Sequence, residues 1–266
     1  MKITLFTANQ SRHNYLANIL SEISDECFVV QESRSIFPGI VPSIYPATEV
    51  MKKYFSKVSS AQSKIFGNSY INGLKKNIKL LPLELGDLNK CSLDFLGDFL
   101  KSDLYIVFGS SYIKGDLADF LIKNRAINIH MGVSPYYRGS DCNFWALYDD
   151  NVHLVGSTIH ILSKGLDSGS ILYHALCEQV SDPFIYTMLT VKSAFHSLKT
   201  KILDQSIFDI KDKKQDRTKE IRYSRGNDFT DEIVKKFFQR KINLFREFKI
   251  PLYKDPFFLK QKDFNE

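Results

Sequence analysis

The chain has 266 residues, 44% hydrophobic and 25% charged, with 21 Phe and 13 Tyr, which is ample core material and excludes wholesale disorder. Its length allows one main domain with an appendage, or two small domains, and excludes a large multidomain enzyme. The net charge of +6 and pI near 8.9 favour anionic partners only mildly, because the lysines are scattered over surface helices.

In chain order, residues 2–8 (KITLFTA) form an apolar run that ends in the polar turn NQSRHN, before a helical pattern over 15–23. Residues 27–33 (CFVVQES) give a second strand, so the opening reads as a βαβ unit. Three prolines in 38–46 break regular structure, and a helix follows over 48–66. A short strand is expected over 78–85 and a helix over 92–101. Strand signals recur at 104–109, 126–130, 156–162 and 170–177, with helices near 114–123 and 142–148. A long helix over 184–207 closes this α/β domain. Near-continuous apolar strands alternating with helices predict a Rossmann-like, mostly parallel sheet with helices on both faces.

The composition then changes. Residues 211–219 (KDKKQDRTK) are basic but interrupted by acids and free of aromatics, so they read as a solvated turn and not a nucleic-acid groove. A small C-terminal appendage follows, with an extended piece at 221–224 and a helix from the cap Thr230 to about 248. The division expected is 1–208 for the catalytic domain and 209–266 for the C-terminal module.

Cysteines at 27, 91, 142 and 177 lie far apart, with no Cys/His grouping at metal-ligand spacing, so buried free thiols and no metal are expected. The opening segment is too short for a signal sequence. No run has the 18 or so apolar residues of a membrane helix. A cytoplasmic protein without membrane insertion is the expectation.

The chemistry concentrates in AINIHMGVSPYYRG and GSTIHILSKGLDSGSIL. Residues two apart on a strand share a face, so Asn128 and His130 project together near the strand end where α/β proteins place their ligands. Asp167 sits between Gly165 and Gly169 on a tight loop, where it could orient the imidazole. His160, inside a period-two strand, reads as a hydrogen-bonded structural residue.

These segments resemble the formyltransferase family that includes glycinamide ribonucleotide, methionyl-tRNA and sugar N-formyltransferases. The matches are Asn128-Ile-His130, Pro135 to Gly139 (PYYRG) and Leu166-Asp-Ser-Gly169, in the family's order and spacing. The resemblance implies transfer of a formyl group from 10-formyltetrahydrofolate to an amine, with Asn128, His130 and Asp167 as catalytic set. Asn128 would donate to the oxyanion, His130 would accept the amine's proton or stabilise the oxyanion as imidazolium, and Asp167 would support His130. By the same carry-over Ser111, Tyr112 and Ile113 would meet the folate's pterin edge through their backbone. Ser163, Lys164, Gly165 and Leu166 would close over it.

Departures from the family sort the acceptor. The loop after the first strand (TANQSRH) lacks the glycines of glycinamide ribonucleotide enzymes, and the tail is too short for the barrel of the methionyl-tRNA enzymes. By elimination the resemblance implies a nucleotide-linked amino-deoxysugar, formylated for a surface polysaccharide such as lipopolysaccharide O-antigen. The alternatives are another amine, or hydrolysis of the donor. Asn9 and Arg12 are expected to contact diphosphate or sugar. The segment Tyr136, Tyr137, Arg138, Asp141, Asn143 and Trp145 is expected to shape the sugar side, with Phe144 and Trp145 alternatively in the core. The tail helix would form either a homodimer contact or packing onto its own domain.

Overall fold

The computed structural model describes residues 1–33, 42, 45–73, 75–245 and 256–264. Most of the proline-rich segment at 38–46 lies outside the described residues, and the tail helix expected to reach about 248 stops at Gln239, with 240–245 not helical and 246–248 outside the described residues. Strand β1 (Lys2–Ala8) leads into helix α1 (Ser11–Glu22) and back to β2 (Glu26–Ser33). Helix α2 (Glu49–Phe66) starts on Thr48, whose hydroxyl accepts from the Met51 N–H. The chain continues through β3 (Ile78–Glu84) and α3 (Leu93–Leu96), the latter cut short by Gly97 at φ 44. Next come β4 (Leu104–Phe108), α4 (Gly115–Lys123), β5 (Ile127–His130), β6 (Tyr137–Gly139) and α5 (Cys142–Tyr148). The remaining elements are β7 (Ser157–Ile161), β8 (Ile171–Cys177), α6 (Pro183–Leu203), β9 (Arg222–Ser224), α7 (Asp231–Gln239) and β10 (Phe257–Leu259).

Eight strands form one sheet in the order β10-β8-β7-β5-β4-β1-β2-β3. All neighbours are parallel except β7, which runs antiparallel to both β5 and β8. Ile3 and Leu5 face one side with Leu20 of α1 and Phe195 of α6. Phe6 faces the other with Leu117 and Leu121 of α4. Burial on both faces is why the strands read as continuous apolar runs. The chain winds outward from β1 to β3, then returns to the other side of β1 with β4. That reversal opens a crevice at the strands' C-terminal ends.

The C-terminal residues are tied to the sheet domain at several points. Strand β10 extends the sheet edge beside β8, and β9 pairs with β6. Helix α7 places Val234 and Phe237 in one apolar cluster with Tyr54, Phe144 and Trp145. Gly139 makes the β6 to β9 approach possible: it has φ +92, and a Cβ there would lie 2.0 Å from the Ser224 carbonyl oxygen. No helix among the described residues is long and apolar enough to cross a membrane.

Candidate active site

A cleft of about 600 Å³ occupies the crevice, within the size range of small-molecule sites. Its floor is the end of β5, and its walls are the segments after β1, β4 and β7. The antiparallel register sets Asn128 directly opposite His160, so the two side chains share a face. His160 donates from Nδ1 to its neighbour's carbonyl, Ile161 O, at 2.8 Å. A carbonyl can only accept, so Nε2 is left as the acceptor. It takes a hydrogen bond from the Asn128 amide nitrogen at 2.9 Å. The amide is thereby fixed, and its second N–H makes only a long contact of 3.4 Å with Asp167 Oδ1.

His130 lies with both ring nitrogens against oxygens. Nδ1 is 3.3 Å from Asp167 Oδ2, and Nε2 is 3.3 Å from the Tyr137 carbonyl oxygen. Two acceptors around one ring are best met by the doubly protonated imidazolium. Burial opposes that charge, but the Asp167 carboxylate outweighs it and holds the His130 pKa well above the ordinary histidine value. The reciprocal effect acts on Asp167. Burial favours its neutral form, yet the charged His130 ring holds it below the ordinary carboxylate range. A charged pair results, with side chains only 7% and 10% exposed.

Asp167 reaches this position on strained backbone, at φ 47. Gly169 lets its loop lie against β7, because a Cβ there would be 1.6 Å from the Ile161 carbonyl oxygen. The loop is also held from behind. Arg138 donates to the Leu166 carbonyl at 2.8 Å and the Asp167 carbonyl at 3.3 Å, and pairs with Glu220 at 2.8 Å. Gln215 donates to the Asp167 and Gly169 carbonyls, both at 2.8 Å. The segment read as a solvated turn therefore carries a residue that shapes the site.

The structure brings Asn128, His130 and Asp167 together. Of the residues expected at the folate, Ser111, Tyr112, Ile113, Ser163, Gly165 and Leu166 line the cleft, and the Tyr112 hydroxyl donates to the Lys164 carbonyl, clasping the two loops. Two details are corrected. The Lys164 ammonium turns away to pair with Asp119 at 2.8 Å. The Ser111 N–H is taken by the buried Glu32 carboxylate at 2.6 Å, so it cannot read a ligand edge.

Among the expected acceptor contacts, Arg12 lines the cleft but Asn9 does not. Helix α1 begins at Ser11, four residues before the expected start, and it is the helix that turns Arg12 and His13 to the cleft. Tyr137 and Arg138 are also corrected: both are buried behind the wall, with the Tyr137 hydroxyl bonded to Asp149 and Asn151. Phe144 and Trp145 are core residues. Sequence reasoning missed one face of α2, where Phe55, Val58, Ser59 and Gln62 line the cleft. Their i, i+3, i+4, i+7 spacing was the available signal. It also set aside His160, whose cross-strand position opposite Asn128 depends on the unmarked reversal of β7.

Residues 100–207 match the protein-family model described as formyl transferase. The chain carries a formyl transferase domain and is a formyl-transferring enzyme. That domain contains Asn128, His130 and Asp167, and the walls after β4 and β7. Among solved structures, an N-formyltransferase from Helicobacter canadensis, in complex with folinic acid and dTDP-3-aminofucose, shares 12% identity, with 89% of this chain and 79% of that one covered and a TM-score of 0.53. A sugar N-formyltransferase from a Shewanella species shares 18% identity over 86% of this chain and 78% of the other, at TM-score 0.51. The phosphoribosylglycinamide formyltransferase of Streptococcus pneumoniae shares 18% identity over 78% and 98%, at TM-score 0.50. These are likenesses of fold. No curated protein matches the sequence.

Proposed function

We propose that the enzyme moves a formyl group from 10-formyltetrahydrofolate to the amino group of a nucleotide-linked amino-deoxysugar, making an N-formylated sugar for a surface polysaccharide. The observation that carries this reading is the cluster of Asn128, His130 and Asp167 at the floor of a cleft inside a formyl transferase domain. Support for the sugar acceptor comes from the likeness of fold to sugar N-formyltransferases and from Arg12, a cleft-lining cation suited to a diphosphate. The folate would lie between the segments 109–113 and 162–167, where Ile113 and Leu162 give apolar walls. Residues 1–208 would supply the chemistry, and 209–266 the struts that hold the Asp167 loop.

The acceptor amine attacks the formyl carbon and the carbonyl oxygen takes up negative charge. Asn128, held by His160, turns its second N–H from the long Asp167 contact to that oxygen, and the His130 imidazolium adds its charge nearby. When the intermediate collapses, His130 gives its proton to the departing donor nitrogen and takes up the proton released by the new amide nitrogen. It ends as it began. Asp167 orients the ring throughout and favours its return to the charged form.

Incubation with 10-formyltetrahydrofolate and a panel of nucleotide-linked 3-amino and 4-amino deoxysugars, glycinamide ribonucleotide and methionyl-tRNA tests the reading. A formylated sugar is expected. Product from only one of the other two amines, or formate release without any acceptor, would replace it.

A further inference from the structure

Asp141 lines both the cleft and a smaller cavity that opens beside it, in each case together with Arg12 and His130. It stands at the start of α5, where an aspartate ordinarily accepts a hydrogen bond from the helix's own N–H groups. Here it caps nothing: its backbone is left-handed, at φ 56, and its side chain makes no bond to the helix. Such a backbone is costly away from glycine and persists where the surrounding structure imposes it. Oδ2 accepts from the Tyr45 hydroxyl at 2.7 Å. Among the described residues that is the side chain's one hydrogen bond, and it has no ion-pair partner. A carboxylate drawn away from water without a cation is uncommon and asks for one.

We infer that Asp141 receives the ammonium group of the acceptor and takes from it the proton that must leave before attack. The inference rests on the amine acceptor proposed above. An alkyl amine is protonated near neutral pH and then has no lone pair to attack with. His130 cannot relieve it, because its ring already carries both protons. The other charged or titratable groups of the smaller cavity are Arg12, Tyr54 and Cys142. Arg12 is itself a cation, and burial raises Tyr54 and Cys142, which keeps both protonated. Burial also holds the Asp141 carboxyl above its ordinary value, with the Tyr45 hydroxyl opposing, which makes it a better proton acceptor. An N–H bond of the ammonium breaks, an O–H bond forms on Asp141, and the neutral amine attacks the formyl carbon. Of the two protons left on that nitrogen, one reaches the donor nitrogen by way of His130 and the other stays on the formamide. Asp141 returns its proton to solvent, so one proton is released per turnover.

Asp141→Asn keeps an acceptor for Tyr45 and removes the base. With a nucleotide-linked amino-deoxysugar it should lower kcat/KM by about 100-fold at neutral pH, while tetrahydrofolate affinity stays unchanged. The ratio of wild type to variant should shrink by about tenfold between roughly pH 6 and pH 9, as the free amine comes to dominate in solution; titration of His130 acts on both enzymes and cancels. Titration calorimetry on wild type alone gives a second reading. At about pH 6 the amino sugar should bind at least about tenfold tighter than its counterpart with a hydroxyl in place of the amine. Undiminished kcat/KM in the variant, a defect constant with pH, or equal affinity for the two sugars would overturn the inference. The calorimetry decides the matter if the variant does not fold. Formylation of glycinamide ribonucleotide or methionyl-tRNA in place of any sugar would remove the sugar acceptor alone, and Asp141→Asn measured on that amine would then decide the role of Asp141.

Discussion

At the residue scale, the proposed mechanism assigns one amide and one imidazole separable work. Asn128 is asked to stabilise developing charge, so Asn128→Ala should lower kcat by about 100- to 1,000-fold with little change in donor affinity; a purely structural Asn would instead lose binding and stability together. His160 acts on Asn128 and not on substrate. Its Nδ1 bond to the Ile161 carbonyl forces Nε2 to accept. His160→Ala should therefore reduce kcat roughly tenfold at unchanged KM, through loss of a preorganised donor. His160→Gln, whose carbonyl can still accept from Asn128, should recover part of it. Equal loss in both variants would show that the ring matters for packing alone.

At the scale of elements, the critical unit is the loop between β7 and β8. Its tip bears Asp167 at a left-handed backbone position, and Arg138 and Gln215 hold it by its carbonyls. Replacing Arg138 with Met should lower kcat by tenfold or more and destabilise the fold by about 1–3 kcal/mol, because Glu220 and two carbonyls lose their donor; thermal melts and steady-state kinetics read the two effects. This explains what was legible in the sequence. The strands, the strand-end Asn128 and His130, and the Asp167 loop announce themselves locally through apolar runs and glycine spacing. Which residues back that loop does not, since Arg138, Gln215 and Glu220 converge only through the pairing of β6 with β9. The same limit hid the reversal of β7, and with it the place of His160. The start of α1 was misjudged for a different reason: its first turn is polar because it faces the cleft, which made it resemble a loop.

At the scale of the whole molecule, the reversal of strand order between β1 and β4 opens the cleft, and the C-terminal residues brace one wall of it. The buried pair at its floor ties stability to pH. Asp167 has a lowered folded pKa, so its contribution is present above the unfolded carboxylate value of about 3.9 and is lost as pH falls through the folded one. His130 has a raised pKa, so its contribution is complete below about 6.5 and is lost as pH rises through the folded value. The melting-temperature gap between wild type and Asp167→Asn should thus be widest between these limits and narrow on the alkaline side; a gap that widens with alkali would contradict the charged pair. The central claim is tested most directly by counting product from wild type and His130→Ala, each loaded with 10-formyltetrahydrofolate and a nucleotide-linked amino-deoxysugar. Wild type should form formylated sugar and tetrahydrofolate in equal amounts, and the variant should bind the donor yet form neither. Undiminished transfer by the variant would contradict the account.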